Sequence, residues 1–158
     1  MAKKATIVVF GDELDKACSA FSIANAAAAS GLEVTLFFSC WGVNLLRRPE
    51  RAWVGDRLAN RVINFLNRGG APRRPLSRFN FLGLGSFMMR RLMKEKNMQS
   101  LPELMADAKE LGVKLLVCDN PMAIMGLRRE DLIEAVDDIV GVASFIHEAA
   151  DSDINLFI

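Results

Sequence analysis

Ala5-Thr6-Ile7-Val8-Val9-Phe10-Gly11 is a β-branched apolar run closed by a glycine. Unbroken apolar character over six residues, with no polar alternation, describes a strand buried on both faces of a sheet. The next two elements set the class. Asp12 to Ser30 reads as a helix with Leu14, Cys18, Phe21, Asn25 and Ala28 on one face, stopped by Gly31, and Glu33 to Ser39 reads as a second strand. A strand, a helix and a strand of these lengths form a parallel crossover unit.

The same rhythm returns in the second half of the chain. Leu101 to Leu111 is helical and ends at Gly112, Val113 to Cys118 is a third strand, and Pro121 to Ala135 is a helical stretch. Asp138 to Val140 is a short strand, Gly141 to Ala150 a helix, and Ile154 to Ile158 a last strand. Alternation of this kind gives an α/β fold with helices on both faces of a parallel sheet. We expect five strands in the flavodoxin-like order 2-1-3-4-5, with a helical insert after the second.

That insert, about 42–100, breaks the rhythm. It holds a helical stretch at Asp56 to Asn67, a turn region from Gly69 to Pro75, and an amphipathic stretch from Phe79 to Lys96. It is too short and interrupted to hold its own core, so residues 1–158 form a single domain. The net charge of +1 conceals a division. Trp41 to Asn97 carries thirteen basic and three acidic residues, and the remainder seven basic and sixteen acidic. The insert can therefore meet an anionic lipid surface or an acidic partner, or pack between subunits with its arginines on a neighbour's acidic remainder. We favour the subunit reading over a peripheral membrane contact, and expect no nucleic acid.

Composition narrows the chemistry. The chain is 51% hydrophobic and 25% charged, as ordered soluble domains are. No run approaches the length of a membrane-spanning helix, and Met1-Ala2-Lys3-Lys4 leads into an apolar stretch too short for a signal core, so a cytoplasmic location is expected. Cys18, Cys40 and Cys118 are odd in number and irregularly spaced, which fits free thiols in a reducing compartment and neither a disulfide framework nor a zinc site. The single His147 reads as a surface or interface residue on the last helix rather than a catalytic base. No Gly-x-Gly-x-x-Gly comes after the first strand and no phosphate loop occurs, so neither nucleotide cofactor nor metal is expected.

Ligands of open parallel sheets gather outside the carboxyl ends of the strands, where connections part to opposite faces. In the order 2-1-3-4-5 that crevice lies between the first and third strands and places Gly11 and Asp12 opposite Cys118. Asn120 can cap the following helix and Pro121 can open it. Position alone leaves Cys118 balanced between a reactive thiol and a buried structural one. Cys18, beside Leu14 and Phe21, reads as a core residue. Cys40, at the end of the second strand, can approach Cys118 as a secondary thiol, although the first strand stands between them in this order.

Several segments carry a resemblance. Phe10-Gly11-Asp12 with its alanine-rich helix, Phe37-Phe38-Ser39-Cys40-Trp41-Gly42-Val43-Asn44-Leu45-Leu46, Met88-Met89-Arg90-Arg91-Leu92-Met93-Lys94, and Val117-Cys118 followed by Met122 and Met125-Gly126 resemble the DsrE/DsrF-like sulfur-relay proteins. The resemblance covers nearly the whole chain. It implies a flavodoxin-like sheet, a homo-oligomer such as a trimer or hexamer, and a cysteine that holds sulfane sulfur, at the position of Cys118. Partners would be sulfur donor and acceptor proteins or low-molecular-weight persulfides. Gly11, Asp12, Trp41, Asn44, Asn120 and Met122 are the candidates to line such a site. The function implied is that of a sulfurtransferase acting through a cysteine persulfide, a carrier more than an enzyme; the alternative is a non-catalytic oligomeric module that docks through its basic insert.

Overall fold

The computed structural model describes residues 3–67 and 69–158; Met1, Ala2 and Arg68 lie outside the described residues. The chain forms β1 (Lys4–Val9), α1 (Leu14–Ala29), β2 (Glu33–Phe38), α2 (Leu58–Leu66), α3 (Leu84–Glu95) and α4 (Leu101–Glu110). It continues as β3 (Lys114–Cys118), α5 (Asp119–Met125), β4 (Asp138–Val140), α6 (Val142–Ala150) and β5 (Ile154–Phe157). A 3-10 segment, Cys40–Leu46, leads from β2 into the insert.

All four strand pairings are parallel, as the alternating sequence predicts. The order differs from expectation: it is β4-β3-β2-β1-β5, not 2-1-3-4-5. The cause lies in where α4 packs. Ala17, Ala20, Phe21 and Ala24 of α1 and Leu101, Leu104 and Ala108 of α4 are all buried in one core, and Asn25 Nδ2 donates to Leu104 O at 3.0 Å. Two helices side by side on one face require the chain to keep stepping in one direction, because parallel crossovers share one hand. Thus β2 lies between β1 and β3. Reversal comes only after β4, when α6 takes the opposite face and delivers β5 to the free edge of β1.

Register assigns the side chains to faces. Ala5, Ile7 and Val9 pair with Val34, Leu36 and Phe38, and these with Leu115 and Val117, all in the core beneath α1 and α4. Each fully buried Ile, Leu or Phe contributes about 1.5–3 kcal/mol of apolar transfer. On the other face Phe37, Leu116, Cys118 and Phe145 form a smaller cluster with Val8, Val140 and Ala149. Phe145 belongs to α6, and its ring stacks on Phe37 with centroids 4.2 Å apart.

The insert is helical, as expected, and its root is pinned to the connection between α5 and β4. Ile133 N donates to Leu46 O at 2.8 Å and Arg48 N to Asp131 O at 2.9 Å. The helix expected over Pro121 to Ala135 is shorter than predicted. Gly126 sits in the left-handed region at φ 66° and ends α5, and the chain then passes through a 3-10 turn at Arg129–Asp131.

Candidate functional site around Cys118

Cys118 closes β3 and is itself the cap residue of α5, which starts at Asp119; Asn120 therefore lies within the first turn, two residues after the cap. Helix and strand abut here because Cys118 is extended (φ −70°, ψ 131°) and Asp119 is already helical. Pro121 is tolerated in this first turn, where its missing N–H costs no intrahelical bond.

The thiol lies on the α6 face. It is 1% exposed, packed with Phe37, Leu116 and Phe145, and its S–H points at Asp119 Oδ1, 3.9 Å away. β3 hands on to α5, which packs in the α1-face core, and β4 hands on to α6 on the other face, so the connections part between β3 and β4, beside Cys118, and not between the first and third strands. The crevice expected between the first and third strands is filled by β2.

The corrected order moves Cys40 closer to the site. Phe38 pairs with Val117, so Ser39 and Cys118 each stand one residue beyond that pair on neighbouring strands. Ser39 remains extended (φ −125°, ψ 164°), which keeps its side chain on the Cys118 face. Cys40 then turns into the left-handed region at φ 47°, and its Sγ lies 3.9 Å from Ser39 Oγ. Cys40 is half-buried, not sealed in the core. Cys18 is packed against the α1 core; burial, then the Asp15 charge, push its thiol up from its ordinary value.

The other predicted residues gather elsewhere. Asp12 makes an ion pair with Arg74 and accepts a hydrogen bond from Asn44 Nδ2 at 3.0 Å. Asn44 is wholly buried and its Oδ1 accepts from Arg47 Nη1 at 3.1 Å; Arg47 also donates to Asn67 O at 3.0 Å. Arg47 is 1% exposed, and among the described residues its Nε and Nη2 have no hydrogen-bond partner. Burial, then the nearby Arg74 charge, pull its guanidinium below the usual arginine value. Gly11 is buried at the β1–α1 turn, and Met122 belongs to the large core on the α1 face. Trp41 and Asn120 are exposed. Asp12 and Asn44 thus belong to the root of the insert, Gly11 to the β1–α1 turn, and the lining of Cys118 comes from Phe37, Leu116 and Phe145.

Sequence reasoning missed Arg47, Arg74, Ser39 and Phe145. The arginines left one signal: Arg47 directly follows the apolar pair Leu45-Leu46, a place where a charge is buried or the helix ends. Ser39 and Phe145 left none, because their proximity to Cys118 depends on strand order and on which face α6 takes.

Comparison with known proteins agrees with this architecture. The Escherichia coli protein ychN superposes with a TM-score of 0.59 at 12% identity, covering 100% of both chains. MTH1491 from Methanobacterium thermoautotrophicum gives 0.56 at 15% identity, covering 99% of both. In sequence the chain is 39% identical over 156 residues to YrkE of Bacillus subtilis, an uncharacterized protein, covering 99% of this chain and 97% of the other. It is 30% identical over 167 residues to the sulfur carrier protein DsrE2 of Allochromatium vinosum, covering 99% and 98%. With residues 1–157 matching the profile of the DsrE/DsrF/DrsH-like family from end to end, the chain belongs to that family.

Proposed function

We propose that the protein is a sulfur carrier that holds sulfane sulfur as a persulfide on Cys118 and hands it to an acceptor thiol. The observation that carries this reading is a free thiol at the carboxyl end of β3, in a chain that matches a named sulfur carrier along its whole length. The Cys118 thiolate attacks the outer sulfur of a donor persulfide, R–S–SH. The donor S–S bond breaks, R–S⁻ leaves, and Cys118–S–SH remains. An acceptor thiolate then attacks that outer sulfur and Cys118 leaves as thiolate, with no net oxidation in either step. Such exchange depends on thiolate character, leaving group and access, and calls for no metal or added base.

Access is the restrictive term, because Cys118 is 1% exposed. A donor reaches it only when the α6 cover over Phe145 yields, or when sulfur passes first through Cys40 on the neighbouring strand end. We assign Cys40 that second-thiol role. Donors and acceptors are persulfide-bearing proteins or low-molecular-weight persulfides, the carrier acts in the cytoplasm, where thiols remain reduced, and it works as a homo-oligomer. The burial of Cys118 also favours one other reading, a non-catalytic oligomeric module that docks through the insert.

Intact mass after incubation with a polysulfide separates the two. The carrier gains one sulfur, retains that gain in Cys18→Ala, and loses it in Cys118→Ala. In Cys40→Ala the gain comes more slowly. A chain that gains no sulfur, or gains it equally on all three cysteines, is not a Cys118 carrier.

A further inference from the structure

The insert's charge is unevenly answered. Between residues 57 and 102 the sequence holds ten basic residues and one acid, Glu95, which pairs with Arg91 within α3. Arg78, Lys94 and Lys96 are exposed and have no ion pair among the described residues. Acids elsewhere in the chain are divided: Asp131 pairs with Arg51, Asp137 with Lys109 and Glu148 with Lys114, while Glu33, Glu110, Asp119, Asp138 and Asp151 are exposed with no ion pair among the described residues.

The apex of the arm, just before α3, is apolar, and Phe79 and Phe81 line a 480 Å³ groove with Leu84, Met88 and Leu92. Phe79 is 75% exposed, Phe81 71% and Leu82 108%. All three occupy the left-handed region, at φ 57°, 37° and 58°, where L-residues other than glycine are disfavoured. Within one chain this strain has no return in burial, since it pushes the three side chains into water.

We propose that this apex docks on the surface of an anionic lipid bilayer. Phe79, Phe81 and Leu82 enter the boundary between headgroups and acyl chains while Arg78, Lys94 and Lys96 meet lipid phosphates. A bilayer is the partner that presents an apolar interior directly beneath a negative surface, in the same order as the apex and its cations. Among the described residues no helix is long and apolar enough to cross a membrane, so the contact is peripheral. This inference is independent of the chemistry at Cys118.

The test is co-sedimentation of the full chain with vesicles of phosphatidylcholine alone or mixed with phosphatidylglycerol. Binding is expected to the mixed vesicles only and to weaken as salt screens the surface. Combined Arg78→Gln, Lys94→Gln and Lys96→Gln should lower partitioning about a hundredfold, at about fivefold per cation near the surface. Leu82→Asp should abolish binding while light scattering shows an unchanged mass. Because the three cations are exposed, the charge variant remains informative should Leu82→Asp fail to fold. Equal partitioning to neutral and anionic vesicles, or none to either, overturns the proposal. So does a change of subunit mass in Leu82→Asp, which would make the apex a subunit contact.

Discussion

Arg74 is 3% exposed, and Asp12 supplies a carboxylate on its guanidinium. Burial, opposed by the Asp12 charge and hydrogen bond, leaves that guanidinium below the usual arginine value. Removing one partner of a buried ion pair strands the other charge. Asp12→Ala should therefore lower the free energy of unfolding by about 3 kcal/mol, read from urea denaturation. Sulfur loading per folded molecule should stay at the parent level, because Asp12 joins Asn44, Arg74 and Arg47 at the insert root and not the lining of Cys118. A large loss of loading with stability intact would return Asp12 to the sulfur site. The sequence placed Asp12 and Cys118 at strand ends correctly. It did not show that they occupy different faces, since that depends on the order of strands that no local pattern encodes.

Among the elements, the strands and their flanking glycines were the most legible. β4 falls on Asp138–Val140 as read, and β1, β2, β3 and β5 differ from their expected limits by no more than two residues at either end. Apolar runs and glycine stops are local signals, so they survive without knowledge of the tertiary fold. The Trp41-Gly42 pair was visible as a motif, and the structure supplies its reason: a Cβ on Gly42 would lie 2.1 Å from Val9 O, so only glycine lets this segment cross the end of β1. The insert was legible as helical but not in its attachment. Asp15 on α1 holds its middle, just before the apex, accepting from Ser77 N at 2.9 Å and from the Ser77 hydroxyl. Burial would raise the Asp15 carboxyl, but these two hydrogen bonds, together with its own backbone N–H and the Lys16 charge, outweigh it and hold the group below its ordinary value. A carboxylate depressed in the folded state contributes its full stability above the unfolded value, about 3.9, and loses it as pH falls further. Limited proteolysis near residues 77–83 by an acid-active protease should therefore accelerate as pH drops below about 4. Asp15→Asn should be cleaved readily at every pH, with little acid dependence. A parent chain equally resistant at pH 5 and pH 3 would show that Asp15 does not anchor the arm.

For the whole molecule, the two sheet faces are unequally covered. α1 and α4 lie over one face with α5 packing into the same core, whereas the nine-residue α6 is the helix packed on the other. On that side Phe10 and Phe157, ring centroids 5.6 Å apart, are 42% and 71% exposed, and Ile146 on α6 is 57% exposed. The register brings them together, because Phe157 pairs with Val8 on the face that also holds Cys118. We propose that this apolar surface is a subunit contact. We expect light scattering to report a homo-oligomer, and Phe157→Asp to shift its mass toward the monomer by placing a charge in an apolar contact. The outcome bears on the arm as well. If the α6 face joins subunits and the α3 apex meets lipid, Phe157→Asp changes mass and, at equal protein concentration, still distinguishes anionic from neutral vesicles, while Leu82→Asp does the reverse. An oligomer that survives Phe157→Asp removes this face as the contact, and a parent chain that is monomeric at all concentrations removes association through it altogether.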